Sequence, residues 1–195
     1  TSVRANVGLP WGQDGFVNLS GENTRQHHAI RTRRYIDGYL SYPAVDANGN
    51  RVALRPNNRL PTGASPNPAE ANRDAEANTI LSSPSYALKA FAVNVGHGLG
   101  ESAQFYANAT ASDRTAQAIQ NFRLPATIFT TYKAPGVLSV FPDGFLPVLE
   151  TKEKQYTGTA GVKGQIAGWD YDASLTGNRS TVRTYTRNSV NYSLP

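Results

Sequence analysis

Read alternately, residues 156 to 166 separate Tyr156, Gly158, Ala160, Val162, Gly164 and Ile166 from Thr157, Thr159, Gly161, Lys163 and Gln165. After a break at Ala167 and Gly168, Trp169, Tyr171, Ala173 and Leu175 alternate with Asp170, Asp172, Ser174 and Thr176. Side chains on a strand point to opposite faces in turn, so this pattern predicts two strands with one apolar and one wet face. The same period recurs at 2–9 (Val3, Ala5, Val7, Leu9) and at 16–22 (Val17, Leu19, Gly21). It recurs again at 88–96 (Phe91, Val93, Val95) and at 102–110 (Ala103, Phe105, Ala107, Ala109). Helical periodicity is hard to find. A further short strand is predicted at Val190, Tyr192 and Leu194.

The strands pair as three hairpins over about 2–22, 88–110 and 156–177. Each is closed by a tight glycine-containing turn: Pro10 to Gly15, His97 to Glu101, and Ala167-Gly168. The connections between hairpins, about 24–86 and 113–154, are long and rich in Asn, Pro, Ala and Arg. Structureless connections of that length are unusual inside a water-soluble domain. They are ordinary in an outer-membrane barrel, which has short periplasmic turns, long extracellular loops and strands that alternate apolar outward with polar inward. Lipid cannot satisfy a backbone N–H or C=O, so a non-helical span must pair laterally in a sheet. The predicted fold class is therefore all-β, a single segment of antiparallel transmembrane β-barrel over residues 1–195.

Trp11 and Trp169, the two tryptophans, both fall at short turns, and Phe16 follows the first. An aromatic ring with a polar edge is favoured at the membrane–water boundary, so these three form the expected interface girdle.

Composition agrees with strands and turns rather than helices. Charged residues make up 17% and hydrophobic residues 39%, while Gly (17), Pro (12) and Tyr (10) are plentiful. Mean hydropathy is -0.45, which indicates no large dry core. The absence of cysteine excludes disulfides and thiolate metal sites. No apolar run approaches the roughly 18 residues of a transmembrane helix. With no basic start leading to an apolar segment and no initiator Met, the chain reads as mature or as a piece of a longer one. The net charge of +5 comes from scattered residues, and no nucleic-acid partner is expected.

The stretches GFVNLSGE (15–22), VFPDGFLP (140–147), GWDYDASLTGNRS (168–180) and NSVNYSL (188–194), taken together and in order, resemble the early barrel portion of bacterial TonB-dependent outer-membrane receptors. The resemblance implies a 22-stranded barrel with a plugged lumen, of which this chain would supply part of the wall. It also implies a bacterial outer-membrane location and energised uptake of a scarce nutrient, such as a ferric siderophore, without enzymatic activity. Outer-membrane lipid, lipopolysaccharide and a small-molecule ligand would be its partners. TonB would engage only through a plug domain, which has no counterpart segment here.

One concentrated charge feature stands out, RQHHAIRTRR at 25–34. Arg25, Arg31, Arg33 and Arg34, with His27 and His28, are candidates to hold an anionic ligand or lipopolysaccharide phosphates, since guanidinium forks suit such groups. A solvated loop base is the simpler account. Adjacent histidines on an extended chain point apart, so no metal site is expected there, and no cofactor is expected anywhere. Asp170 and Asp172 share a strand face, but beside Trp169 and Tyr171 they read as wet-face residues near a turn rather than a catalytic pair. No nucleophile elbow or phosphate-cradling loop occurs.

Two other architectures fit the same alternation. One is a self-contained small outer-membrane barrel, an adhesin or enzyme, with a further strand inside a long connection. The other is a soluble carbohydrate-binding β-sandwich, whose apolar faces would pack on each other while Trp11, Trp169 and tyrosines stack on sugar.

Overall fold

A computed structural model of the chain describes residues 1–31, 38–73 and 81–191. The alternating stretches form strands, with ten among the described residues: β1 Ser2–Pro10, β2 Gly15–Gln26, β3 Ile30–Arg31, β4 Ala44–Val45, β5 Arg51–Val52, β6 Leu81–Ser82, β7 Ser85–Gly98, β8 Ala103–Ile119, β9 Val148–Ile166 and β10 Trp169–Arg187. Two short helices, α1 Pro125–Thr130 and α2 Val137–Val140, lie between β8 and β9. Strands account for 57% of the structure and helices for 10%, so antiparallel sheet dominates.

Six strands make one sheet in the order β1-β2-β7-β8-β9-β10, and β3-β6 and β4-β5 make two-stranded ladders. The large sheet is open, not closed into a barrel, with β1 and β10 at its edges. Among the described residues there is no second sheet of comparable size to pack against it, as a sandwich requires.

The turns fall where the glycine-rich breaks predict. Ala167 and Gly168 both have positive φ (50° and 81°), the geometry of the two-residue hairpin turn whose twist matches that of the strands. The strands outrun the alternation, however. β8 reaches Ile119 and β9 starts at Val148, so the expected irregular stretch of 113–154 shortens. β2 and β7 remain paired as far as Gln26↔Tyr86. The added lengths mix polar residues with isolated apolar ones such as Ala116, Ile119 and Leu149, without the sustained alternation that a sequence reading detects.

By internal contacts the chain divides into two units. Unit 1 is Thr1–His27, Pro84–Gln117 and Glu150–Tyr185; unit 2 is His28–Ser83, Ala118–Leu149 and Thr186–Pro195. The hydrophobic core belongs to unit 2, where Ile128, Val137, Leu138 and Phe145 are buried and Phe129, Tyr132, Phe141 and Val190 pack around them. Val190 is thus a core-packing residue outside any strand, which corrects the expected final strand; Tyr192 and Leu194 lie outside the described residues. Its side chain serves a hydrophobic cluster that only folding brings to it.

Polar groups organise the rest of unit 2. Glu70 Oε1 accepts the backbone N–H groups of Ser41 (2.6 Å) and Tyr42 (2.8 Å), and Glu70 Oε2 pairs with Arg73 at 3.1 Å. Tyr42 donates its hydroxyl to Asp143 at 2.8 Å. In the β4–β5 turn Asp46 accepts from the N–H groups of Asn50 and Asn48 at 2.8 and 2.9 Å, which holds its carboxyl below the usual carboxylate range.

Candidate functional site

Register puts the two kinds of side chain of unit 1 on separate faces. Val17, Leu19 and Gly21 pair with Val95, Val93 and Phe91, which pair in turn with Ala107, Ala109 and Ala111. Val3, Ala5, Val7 and Leu9 join them from β1 through Asn23, Gly21, Leu19 and Val17. Because the register keeps odd positions together in these strands, every apolar set lands on one surface.

Among the described residues much of that surface is uncovered. Leu175 is 81% exposed, Val3 63% and Phe91 50%. In unit 1 only Thr24, Gly96, Glu150 and Gly161 are buried among the described residues. The apolar face is therefore an outward-looking band and no half of a core.

The band has two definite margins. At the turn end stand Trp11, His97 and Trp169. Trp11 and His97 meet edge to face with ring centroids 4.8 Å apart, and Trp169 is 78% exposed. At the other end the same face turns polar in step across the strands. Asn23, Lys89 and Asp113 lie in one register row, and Lys154 Nζ sits 3.5 Å from Asp113 Oδ2. In β10 the change comes at Arg179, which follows Trp169, Tyr171, Ala173, Leu175 and Gly177 along the same face. Between the margins the band occupies residues 103–111 of β8, 156–166 of β9 and 169–177 of β10. Sequence reasoning found the apolar members but not the row that ends them; its signal is one polar residue, charged in β7 to β10, beyond the apolar series at a similar distance from the turn.

Phe16 departs from the expected girdle position. It lies on the polar face, since its partner is Gly96, and its ring fills the place of a side chain there: a Cβ on Gly96 would stand 2.6 Å from Phe16 Cε1. A residue next to the turn keeps the parity of its own strand, and Phe16 has the parity of Asn18 and Ser20.

The opposite face carries side-chain hydrogen bonds towards both edges of the sheet. Asn6 Nδ2 donates to Asn18 Oδ1 and to Ser20 Oγ, each at 2.7 Å, and Arg4 pairs with Glu22 at 3.1 Å. Towards the other edge Thr159 and Thr176 hydroxyls are 2.8 Å apart. Asp172 accepts from the Tyr106 hydroxyl and Asp170 from Gln165 Nε2, both at 2.7 Å. The two aspartates are thus each held by a neutral donor, an arrangement that fixes side chains on an exposed surface.

The basic stretch falls on both sides of the unit division. Arg25 and His27 are exposed residues of unit 1, and Arg25 exchanges backbone hydrogen bonds with Thr1 at 2.8 Å. His28 and Arg31 belong to unit 2, where His28 Nδ1 bonds the Ser83 carbonyl at 2.9 Å and Arg31 in β3 pairs with Leu81. Arg33 and Arg34 lie outside the described residues. Among the described residues no group of three or more His, Cys, Asp or Glu is placed to hold a metal ion.

No family model, no curated protein and no solved structure matches the chain.

Proposed function

We propose that this chain is part of the wall of an outer-membrane barrel of the TonB-dependent receptor type, serving uptake of a scarce nutrient such as a ferric siderophore and not catalysis. The observation that carries the reading is the uncovered apolar band with an aromatic margin on one side and a polar row on the other. Its extent in β8, β9 and β10 suits the roughly nine to eleven residues that a tilted strand needs to cross hydrocarbon. On this reading the short turns face the periplasm, and the strand extensions stand outside the cell. Arg25, Lys89, Lys154 and Arg179 would then lie at the level of lipopolysaccharide phosphates.

The open sheet favours a wall segment over a self-contained small barrel. Six strands with two unpaired edges would close in a bilayer only by lateral pairing with further strands. The lone large sheet weighs equally against a sandwich. The ligand remains a matter of analogy with the receptor class, and any contact with TonB requires a plug domain.

Fractionation of the parent protein tests the reading. It is expected in the outer-membrane fraction, released by detergent and precipitating when detergent is withdrawn. Full solubility of the native parent protein without detergent would overturn the proposal.

A further inference from the structure

Unit 2 holds a cavity of about 370 Å³ whose lining includes Arg123, Ile128, Tyr132, Val137, Phe145 and Val190. Its size lies within the common range for small-molecule sites, of roughly 300–1,000 Å³. Among the described residues Arg123 is the one charged residue on its wall; the remaining described lining is aromatic, aliphatic or neutral polar, with Gln120, Thr186 and Ser189 among the polar groups. Among the described residues no carboxylate pairs with the Arg123 guanidinium.

The backbone of Arg123 is held firmly. Its N–H donates to the Phe145 carbonyl at 2.7 Å, and Phe145 N–H returns a bond of 3.2 Å to the Arg123 carbonyl. Phe145 itself is buried and packs on Phe141 with ring centroids 4.7 Å apart. The main chains of Arg123 and Phe145 are therefore fixed to one another by a two-way bridge. A guanidinium without a counter-charge beside aromatic walls suits a ligand that carries one anionic group on a flat apolar body.

We propose that this cavity binds a small aromatic carboxylate, with the carboxylate on Arg123 and the ring against Ile128, Val137 and Phe145. The site goes beyond the uptake reading and stands on the geometry of unit 2 alone. It also differs from the basic stretch at 25–34, none of whose described residues lines it.

Calorimetric titration of the full chain in detergent, with naphthoate and its neutral counterpart naphthamide as probes, tests it. Naphthoate is expected to bind about tenfold or more tightly than naphthamide, the ratio that one charge-assisted pair supplies. Arg123→Gln should erase that preference, and Arg123→Lys should keep part of it. Val190→Trp, which fills the cavity, should weaken both probes together. Equal affinity for the two probes, or a preference that survives Arg123→Gln, overturns the proposal. Far-ultraviolet circular dichroism of each variant separates lost binding from lost folding. A chain that needs no detergent would sink the membrane reading and leave this result interpretable.

Discussion

The hydroxyl of Tyr106 in β8 reaches over β9 at Gly161 to donate a 2.7 Å hydrogen bond to Asp172 in β10. Three strands are tied together at one point, and the crossing needs a residue without a side chain. A Cβ at Gly161 would stand 2.7 Å from Tyr106 Cζ and 2.8 Å from the Ala173 carbonyl oxygen, which cannot rotate away. Gly161→Val is therefore expected to destabilise the sheet by about 1–3 kcal/mol, the usual cost of forced overpacking. Denaturant unfolding in detergent would report it. Tyr106→Phe, which removes only the exposed bond, should cost less, about 0.5–1.5 kcal/mol.

Charge placed in the apolar band separates lipid from water as its neighbour. Leu175 is 81% exposed, so in water Leu175→Arg should change stability by only about 0.5 kcal/mol. Facing lipid near mid-depth, the same change should cost about 2–4 kcal/mol. The expected outcome is the larger loss in reconstituted bilayers, with Ser174→Arg on the opposite face close to neutral. Folding titrations of the two variants side by side provide the measurement.

The turn between β9 and β10 carries a residue that its geometry disfavours. Ala167 has φ 50°, a left-handed conformation that costs a residue with an ordinary Cβ roughly 1–2 kcal/mol. Asparagine tolerates it better and is the common choice at this turn position. Ala167→Asn should raise stability by up to about 1 kcal/mol, visible as a higher denaturant midpoint with unchanged slope.

Alkali should loosen unit 2 through Tyr42. Burial first, and then the hydrogen bond to Asp143, push its phenol well above the ordinary value of 10.0. In the unfolded chain the phenol ionises at its ordinary value, whereas in the folded chain it stays neutral. The stabilising difference is complete below that ordinary value and is lost as pH rises above it. Tyrosinate absorbance should therefore show one phenol that titrates only on unfolding, and Tyr42→Phe should remove that step.

The sequence was legible where two faces differ in chemistry and where the backbone needs glycine. Those conditions hold in the band and at the turns, and there the hairpins Val3–Leu19, Phe91–Ala109 and Val162–Leu175 were found in their observed pairing. Legibility ended at Asn23, Lys89, Asp113 and Lys154, beyond which the alternation of apolar and polar positions lapses although the ladder continues. It also failed in the long connections. Tyr42 and Asp143 are separated by 101 positions, and no local pattern announces such a pair. The same is true of Glu70, whose carboxylate gathers two backbone N–H groups from Ser41 and Tyr42. Arg123 looked like one scattered cation until folding set it beside Phe145. Of the expected girdle, Trp11 and Trp169 stand on the band side, while Phe16 was misplaced because its parity was not followed from Asn18 to the turn.

The rim of the sheet has a practical meaning for anyone handling the chain. Among the described residues β10 presents 19 residues of strand with no further strand beyond it, and β1 does the same over 9. A bare strand of that length is a template on which another molecule can lay its own strand, and the greasy side offers a second surface for stacking. In plain buffer the expected product is a fibril built rim to rim, with thioflavin-positive growth that speeds up with concentration. Adding a peptide that copies a β-strand should cap the rims and slow it.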